Sequence, residues 1–268
     1  MKISIITVCF NSEKYIRETI ESVITQDYPD IEYIVIDGAS KDRTVSIINE
    51  YKSKIAYFVS EKDKNMYDAI NKGMRVATGE YIAILNSDDF YVSPTVVSRV
   101  AGKLKSLDKS KYLGVYGDLV KIDEQGRSRG IRRGIQVSFK GLLASEQLTF
   151  VGHGTVFLHR SVLGKVGFYA DEVFSAACDY DYLLRCFKLK PLKHIAVPVM
   201  RFRDHPESIT SSGKIGQEVR AVLLKNGWNK RSRLLYLTLW GIWCIKNFRA
   251  VLRSGGKRLL RAVGEDSK

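Results

Sequence analysis

The sequence predicts an α/β fold: a mostly parallel central sheet with helices on both faces, followed by a basic helical C-terminal extension. Two observations carry the sheet. Apolar, β-branched runs alternate with helical segments through the first third of the chain. Those runs are continuously apolar, as strands covered on both faces are. A third observation concerns function. Polar groups gather where these runs end, and open sheets of this kind bind ligands outside the carboxyl ends of their strands.

Taken in order, "ISIITVCF" (residues 3–10) predicts the first strand, and Asn11-Ser12 caps an amphipathic stretch to about Ile24. "IEYIVID" is a second buried strand, with "SKDRTVSIINEYK" a capped helix after it. "KIAYFVS" reads as a third strand, "MYDAINKGMRVA" as a helix and "EYIAILNS" as a fourth strand, a succession of βαβ units. The groups "NSEKY", "DGASKDRT", "SEKDKN" and "NSDD" all fall at the ends of these strands. After Pro94 the pattern loosens. "YLGVYGDLVKID" predicts a strand pair, "EQGRSRGIRRG" a Gly/Arg-rich loop, and "TVFLHRSVLGKVGFY" a strand and short helix. "SAACDYDYLLRCFKL" predicts an amphipathic helix opened by acidic residues, and "HPESITSSGK" a loop before a final helical region.

The 268 residues suffice for one sizeable core, and 45% hydrophobic with 27% charged residues excludes global disorder. The net charge of +14, from 43 basic against 29 acidic residues, points to a polyanionic partner: nucleic acid, an anionic membrane surface or phosphate-bearing substrates. Most of the excess is C-terminal, where eleven Lys/Arg from Lys225 onward face only Glu265 and Asp266. Cys9, Cys178, Cys186 and Cys244 are scattered without a CxxC pair, which reads as reduced and cytoplasmic. The apolar start reads as a strand, not a cleaved signal, and no segment offers the ~20 apolar residues of a spanning helix.

Five stretches carry candidate chemistry. In "DGASKDRT", Asp37 ends a strand and Gly38 permits a tight turn; the stretch is either a capped strand-to-helix turn or a place to hydrogen-bond a ribose or base. Neither GxGxxG nor GxxxxGK[ST] occurs, so a bound nucleotide needs another way to hold its phosphates. A divalent cation on carboxylates is one, and Asp88-Asp89 at the end of the fourth strand supplies oxygen ligands, if the pair is not simply a helix cap. In "ACDYDYLLR", Asp179 and Asp181 either favour a helix N-terminus or serve as a base, and two residues apart they face different sides of the helix. His153, between glycines in "VGHGTVFLHRS", presents an imidazole to a cleft or bonds a neighbouring carbonyl. His205 in "FRDHPES" either approaches a metal or diphosphate or is merely solvated. The histidines lack the spacing of a zinc site.

The stretch from "ISIITVCFNSEKY" through "IVIDGASKDRT", followed by "YDAINKGMRVATGEYIAILNSDDF", resembles the family 2 glycosyltransferases of GT-A fold, the bacterial surface-polysaccharide type (colanic acid, O-antigen, capsule) among them. The resemblance is specific to about Tyr91 and looser to about Thr210. It implies that Thr7, Cys9, Asn11 and Asp37 line a base and ribose pocket, with Asp68, Lys72 and Asp88 near the nucleotide. It implies Mn²⁺ or Mg²⁺ on Asp89, with Asp88 assisting and His205 a further candidate, although Asn86 stands where many members carry Asp. Asp179 matches the catalytic base, with Asp181 as fallback; Cys178 departs from the commoner acidic neighbour, and His153 falls on the acceptor side with Asp181.

The activity this resemblance implies is inverting, metal-dependent transfer of a hexosyl or N-acetylhexosaminyl group from a nucleotide-sugar, a UDP-sugar being the expected donor, to a saccharide or lipid-linked saccharide in polysaccharide biosynthesis. Residues 1–212 form the expected catalytic domain, divided at 120 into donor and acceptor halves, and 213–268 a basic amphipathic helical segment. The tail's Trp240, Trp243 and Phe248 among cations suit a helix lying on an anionic membrane at the inner face of the cytoplasmic membrane; packing on the domain is the alternative. No nucleic-acid motif accompanies the charge. The rival readings are a catalytically silent carbohydrate- or membrane-binding module on the same fold, and a nucleotidyltransferase. The latter calls for a Gly-rich basic loop where "CFNSEKY" stands.

Overall fold

A computed structural model of the chain describes residues 1–144, 150–205, 215–228 and 230–247. The first four strands and the helices between them follow the pattern of the sequence: β1 Ile3–Cys9, α1 Ile16–Ile24, β2 Ile31–Asp37, α2 Thr44–Glu50, β3 Tyr57–Ser60, α3 Met66–Val76 and β4 Tyr81–Ile84. Then come β5 Phe90–Tyr91, α4 Val96–Lys105, β6 Gly114–Ile122, β7 Ser128–Arg132, α5 Phe139–Ala144 and β8 Val156–His159. The chain continues through α6 Val162–Lys165, α7 Cys178–Leu189, β9 Lys193–Arg203, α8 Ile215–Lys225 and α9 Lys230–Lys246.

One sheet runs β3-β2-β1-β4-β8-β6-β9-β5, with β7 paired to β6. It is mixed. β3, β2, β1 and β4 are parallel, as are β6 and β9, whereas β8, β5 and β7 pair antiparallel. The unbroken apolar character of β1 now has its cause. Ile6 and Val8 pack under α3 and α7, while Ile3, Ile5 and Cys9 pack on the opposite face with α1 and α4. Gly73 lets α3 lie close on the sheet, since a Cβ there would stand 2.5 Å from Ile6 Cγ2.

Two expectations need correcting. Residues 112–123 hold one strand and not a pair, β6 at Gly114–Ile122, and its hairpin partner β7 lies inside the predicted Gly/Arg-rich loop. The turn is built by Asp123, whose carboxylate accepts from the Gln125 and Arg127 amides, and by Gly126 at φ +80°. An edge strand tolerates Arg and Gly because one side of it faces water, so the apolar signal is missing. The second correction concerns α9, which is apolar on both faces and so not amphipathic: Leu239, Trp240 and Trp243 pack on the core, while Leu234, Leu237, Ile242 and Ile245 are exposed. Among the described residues no helix is long and apolar enough to cross a membrane. The predicted loop after His205, the boundary at 212/213, Phe248 and the basic residues beyond it lie outside the described residues.

Candidate active site

The turn after β4 carries Asn86, Ser87, Asp88 and Asp89, and its backbone is held from three sides. The buried Thr19 hydroxyl of α1 lies 2.9 and 2.8 Å from the carbonyls of Ser87 and Asp89. Ser12 Oγ meets Ser87 Oγ at 2.8 Å. From β9, the Arg203 amide donates to Asp89 Oδ1 (3.0 Å) and its Nε to the Asp88 carbonyl (3.2 Å). The remaining guanidinium donors reach the Glu124 carbonyl and Glu18, and the group lies over the Tyr15 and Phe90 rings. Arg203 is buried and went unremarked in the sequence, since nothing local marks it as the brace of a turn so distant in the chain.

The two carboxylates therefore differ. Asp89 is 1% exposed, with one oxygen engaged by the Arg203 amide. Burial, then the neighbouring Asp88, push its carboxyl well above the ordinary range. Asp88 is 27% exposed, and its Oδ2 lies 2.9 Å from His205 Nε2. Asp88 Oδ2 and His205 Nε2 thus lie side by side at the outer side of the turn, and Asp89 faces inward. Beside them, Asn86 Oδ1 is buried without a hydrogen-bond partner among the described residues. Among the described residues no three His, Cys, Asp or Glu side chains converge as a metal cage. One carboxylate and one imidazole would leave most positions of a divalent cation to substrate oxygens and water, as Mg²⁺ and Mn²⁺ sites on phosphates do.

At the ends of β1, β2 and β3 the expected pocket residues divide. Thr7 is buried and accepts from the Tyr33 hydroxyl (3.2 Å), so it faces the core instead of a ligand. Asp37 is also buried. Its oxygens accept from Ser40 N (3.0 Å), the Ser60 hydroxyl (2.6 Å), the Ser40 hydroxyl and Cys9 Sγ (3.5 Å). Its carboxylate is filled by the turn it organises, and burial, then Asp37, push the Cys9 thiol up. Asn11 is exposed, with φ of 48°, and joins the two strand-end loops: its amide donates to Ser40 Oγ and its Oδ1 accepts from Lys41 N. Asp68, on the first turn of α3, accepts from the Lys64 amide, and its Oδ2 stands 3.8 Å from Lys72 Nζ. That amine is tied more closely to Asp63 (2.6 Å) and Glu61 (2.8 Å). Burial alone would lower its pKa; the two carboxylates outweigh burial and raise it. Asp63, unassigned from the sequence, lies over the Gly38 turn, where a Cβ would come within 3.1 Å of its Oδ2.

Asp179 lies in the first turn of α7. It is half-buried, and the Tyr180 amide donates to its Oδ1 (2.8 Å). Protein packed around it raises its pKa above 3.8, with His153 and hydrogen bonds opposing. The tight turn bearing His153 packs against the end of β4, and His153 Nε2 meets the Tyr169 hydroxyl at 2.6 Å. Tyr169 stacks between Tyr182 and Tyr67. Burial lowers the His153 pKa, so the ring is neutral at neutral pH. Asp181 does not join this group. It is buried on another side of α7, bonded to Arg185 Nε (2.8 Å) with Lys225 at 3.8 Å, so the structure places it as a brace and not on an acceptor surface.

Glu218 of α8, also unassigned from the sequence, holds the N-terminus of α7. Its carboxylate accepts from the amides of Ser175 (3.0 Å), Ala176 (2.7 Å) and Ala177 (2.9 Å) and from the Ser175 hydroxyl. Burial alone would raise its pKa; these bonds outweigh it and lower the value. Glu218→Ala is expected to cost roughly 1–3 kcal/mol of stability by urea unfolding at neutral pH, because three amides lose a charged acceptor. The difference from wild type is present above the ordinary carboxyl pKa and fades as acid protonates Glu218.

A family model described as glycosyl transferase family 2 matches residues 4–167. An uncharacterized glycosyltransferase of Mycobacterium tuberculosis is 34% identical over 186 residues, covering 68% of each chain. Among solved structures, S. aureus TarS 1–349 in complex with UDP-GlcNAc superposes with a TM-score of 0.65 at 19% identity, over 83% of this chain and 65% of that one. The mannosyltransferase PcManGT of Pyrobaculum calidifontis, in complex with GDP-Man and Mn²⁺, gives 0.63 at 17% identity, over 99% of this chain and 76% of that one. This chain spans 39% of the longer TarS structure. These likenesses identify the curled α/β sheet as a GT-A fold.

Proposed function

The chain belongs to glycosyl transferase family 2, and from that premise we propose that it transfers a sugar, with inversion, from a UDP-sugar to a hydroxyl of a saccharide or lipid-linked saccharide in polysaccharide biosynthesis. The transferred group is a hexose or N-acetylhexosamine. The observation that carries this reading is that both carboxylates are tied to β4, one following it and the other beside a turn packed against it. Asp88, with His205, is outward-facing at the end of β4, and Asp179 is half-buried beside His153, whose turn packs on the same strand end. The UDP-GlcNAc and GDP-Man complexes of the neighbouring structures support a nucleotide-sugar donor.

The donor set fits a divalent cation. Asp88 and His205 would hold it, and the buried Asn86 Oδ1, without a partner among the described residues, offers a further oxygen in the same turn. When bound, Mn²⁺ or Mg²⁺ supplies charge to stabilise a departing diphosphate. The chain's own residues do the rest. Thr19 and Arg203 keep the Asp88 turn rigid, so little ordering is needed on binding. Asp179, ionised at neutral pH, accepts the proton of the attacking hydroxyl. A single base and a single displacement give inversion at the anomeric carbon.

The Asn11, Gly38 and Asp63 surface at the ends of β1 and β2 receives the nucleoside, while Cys9 and Asp37 act from beneath it by holding the turn. Thermal unfolding with Mn²⁺ and a panel of UDP- and GDP-sugars tests the donor. One UDP-sugar is expected to raise Tm only when Mn²⁺ is present. No response to any nucleotide-sugar would refute the assignment.

A further inference from the structure

Helix α9 has two apolar faces, and among the described residues only one of them is packed. On the inner face Leu239, Trp240 and Trp243 pack on the core, and Leu239 reaches Gly141 of α5, where a Cβ would stand 3.0 Å from its Cδ1. The C-terminal end is fastened separately. Asn247 accepts from the Arg133 amide (2.7 Å) and donates to the Arg133 carbonyl (3.1 Å). This anchorage sets the helix's rotation about its own axis. Leu234, Leu237, Ile242 and Ile245 then fall on the opposite side, with Thr238 and Gly241 between them. Leu234 is 70% and Ile245 78% exposed, and Leu237 and Ile242 are each 46% exposed.

Contiguous exposed aliphatics on an anchored helix mark an interaction surface. The charge around them decides what it meets. Lys225 is exposed at the end of α8 and Lys246 at the end of α9. The sequence from Lys225 onward carries eleven Lys/Arg against two acidic residues. A second copy of this chain would bring two such basic segments together, at a net +14 each. An anionic lipid surface instead offers acyl chains to the aliphatics and counter-charge to the cations. We propose that the Leu234–Leu237–Ile242–Ile245 face of α9 docks the protein on anionic membrane. The inner face stays on the domain, so the catalytic body is held against the bilayer by a rigid helix.

Flotation of the full chain with vesicles of phosphatidylcholine, alone or mixed with phosphatidylglycerol, tests this. Binding is expected only to the mixed vesicles, and it weakens as salt rises. Replacing Leu234, Leu237, Ile242 and Ile245 together by Asn is expected to lower the partition coefficient by about tenfold or more. Since these side chains face solvent, Tm is expected to stay unchanged. Ile245→Asn alone serves if the fourfold variant fails to fold, with a smaller loss in the same direction.

Equal partition of wild type and variant would overturn the proposal, as would failure to bind the mixed vesicles. A wild-type dimer in sedimentation equilibrium that the fourfold variant dissolves would assign the face to a second copy and overturn it as well.

Discussion

Asp179→Asn is expected to lower kcat by roughly 10²–10⁴-fold while raising the unfolding midpoint at neutral pH. Both effects come from one environment. Protein around Asp179 raises its pKa, so folding disfavours the ionised form, and His153 and the Tyr180 amide only partly offset that. A raised folded pKa means that the native state binds more protons than the unfolded chain between the two pKa values. Stability from this group is therefore greatest below the ordinary carboxyl pKa of 3.8 and falls as pH rises through the raised value. Asparagine keeps the shape and removes the charge, so the variant gains at neutral pH and the gain vanishes in acid. For the wild type, kcat/KM is expected to fall on acidification with a midpoint above 3.8, as Asp179 takes up its proton. Turnover near wild type in Asp179→Asn would remove this residue as the base.

The second large effect separates Asp88 from Asp89. Asp88→Ala is expected to abolish the Mn²⁺-dependent rise in Tm produced by the donor, with Tm in the absence of ligand nearly unchanged. Its carboxylate lies partly exposed against His205 and braces none of the buried backbone that Asp89 holds. Asp89→Ala is expected to cost roughly 1–3 kcal/mol of stability, because it leaves the buried Arg203 amide without its acceptor. Asp89→Asn keeps an oxygen for that amide and is expected to retain the donor response. If Asp89→Asn instead removes the response at unchanged stability, the cation belongs on Asp89, as the family resemblance implies.

The first four strands were legible because each is a short apolar run ended by polar residues, a pattern that local composition reports directly. β7 was illegible for the converse reason: an edge strand of Arg, Gly and Ser carries no apolar signal, and only its pairing with β6 makes it a strand. The same division runs through the site. Asp37 was found at its strand end, yet its carboxylate is filled by Ser40, Ser60 and Cys9, which lie up to 28 positions away. Asp179 and Asp181 were alike in the sequence; the fold buries Asp181 against Arg185 and leaves Asp179 half-buried next to His153.

The sequence alone determined the sheet's first half, the clustering of polar groups at its strand ends, the family resemblance and the presence of two adjacent carboxylates after β4. These are properties of neighbours along the chain. Which carboxylate turns outward was decided only by tertiary structure. Arg203 arrives from β9, 114 positions beyond Asp89, to bind it, and His205 arrives two residues later to meet Asp88. Two side chains at consecutive positions of a turn point in different directions, so charge and spacing are the same for both. The partner brought by the fold is what sets them apart.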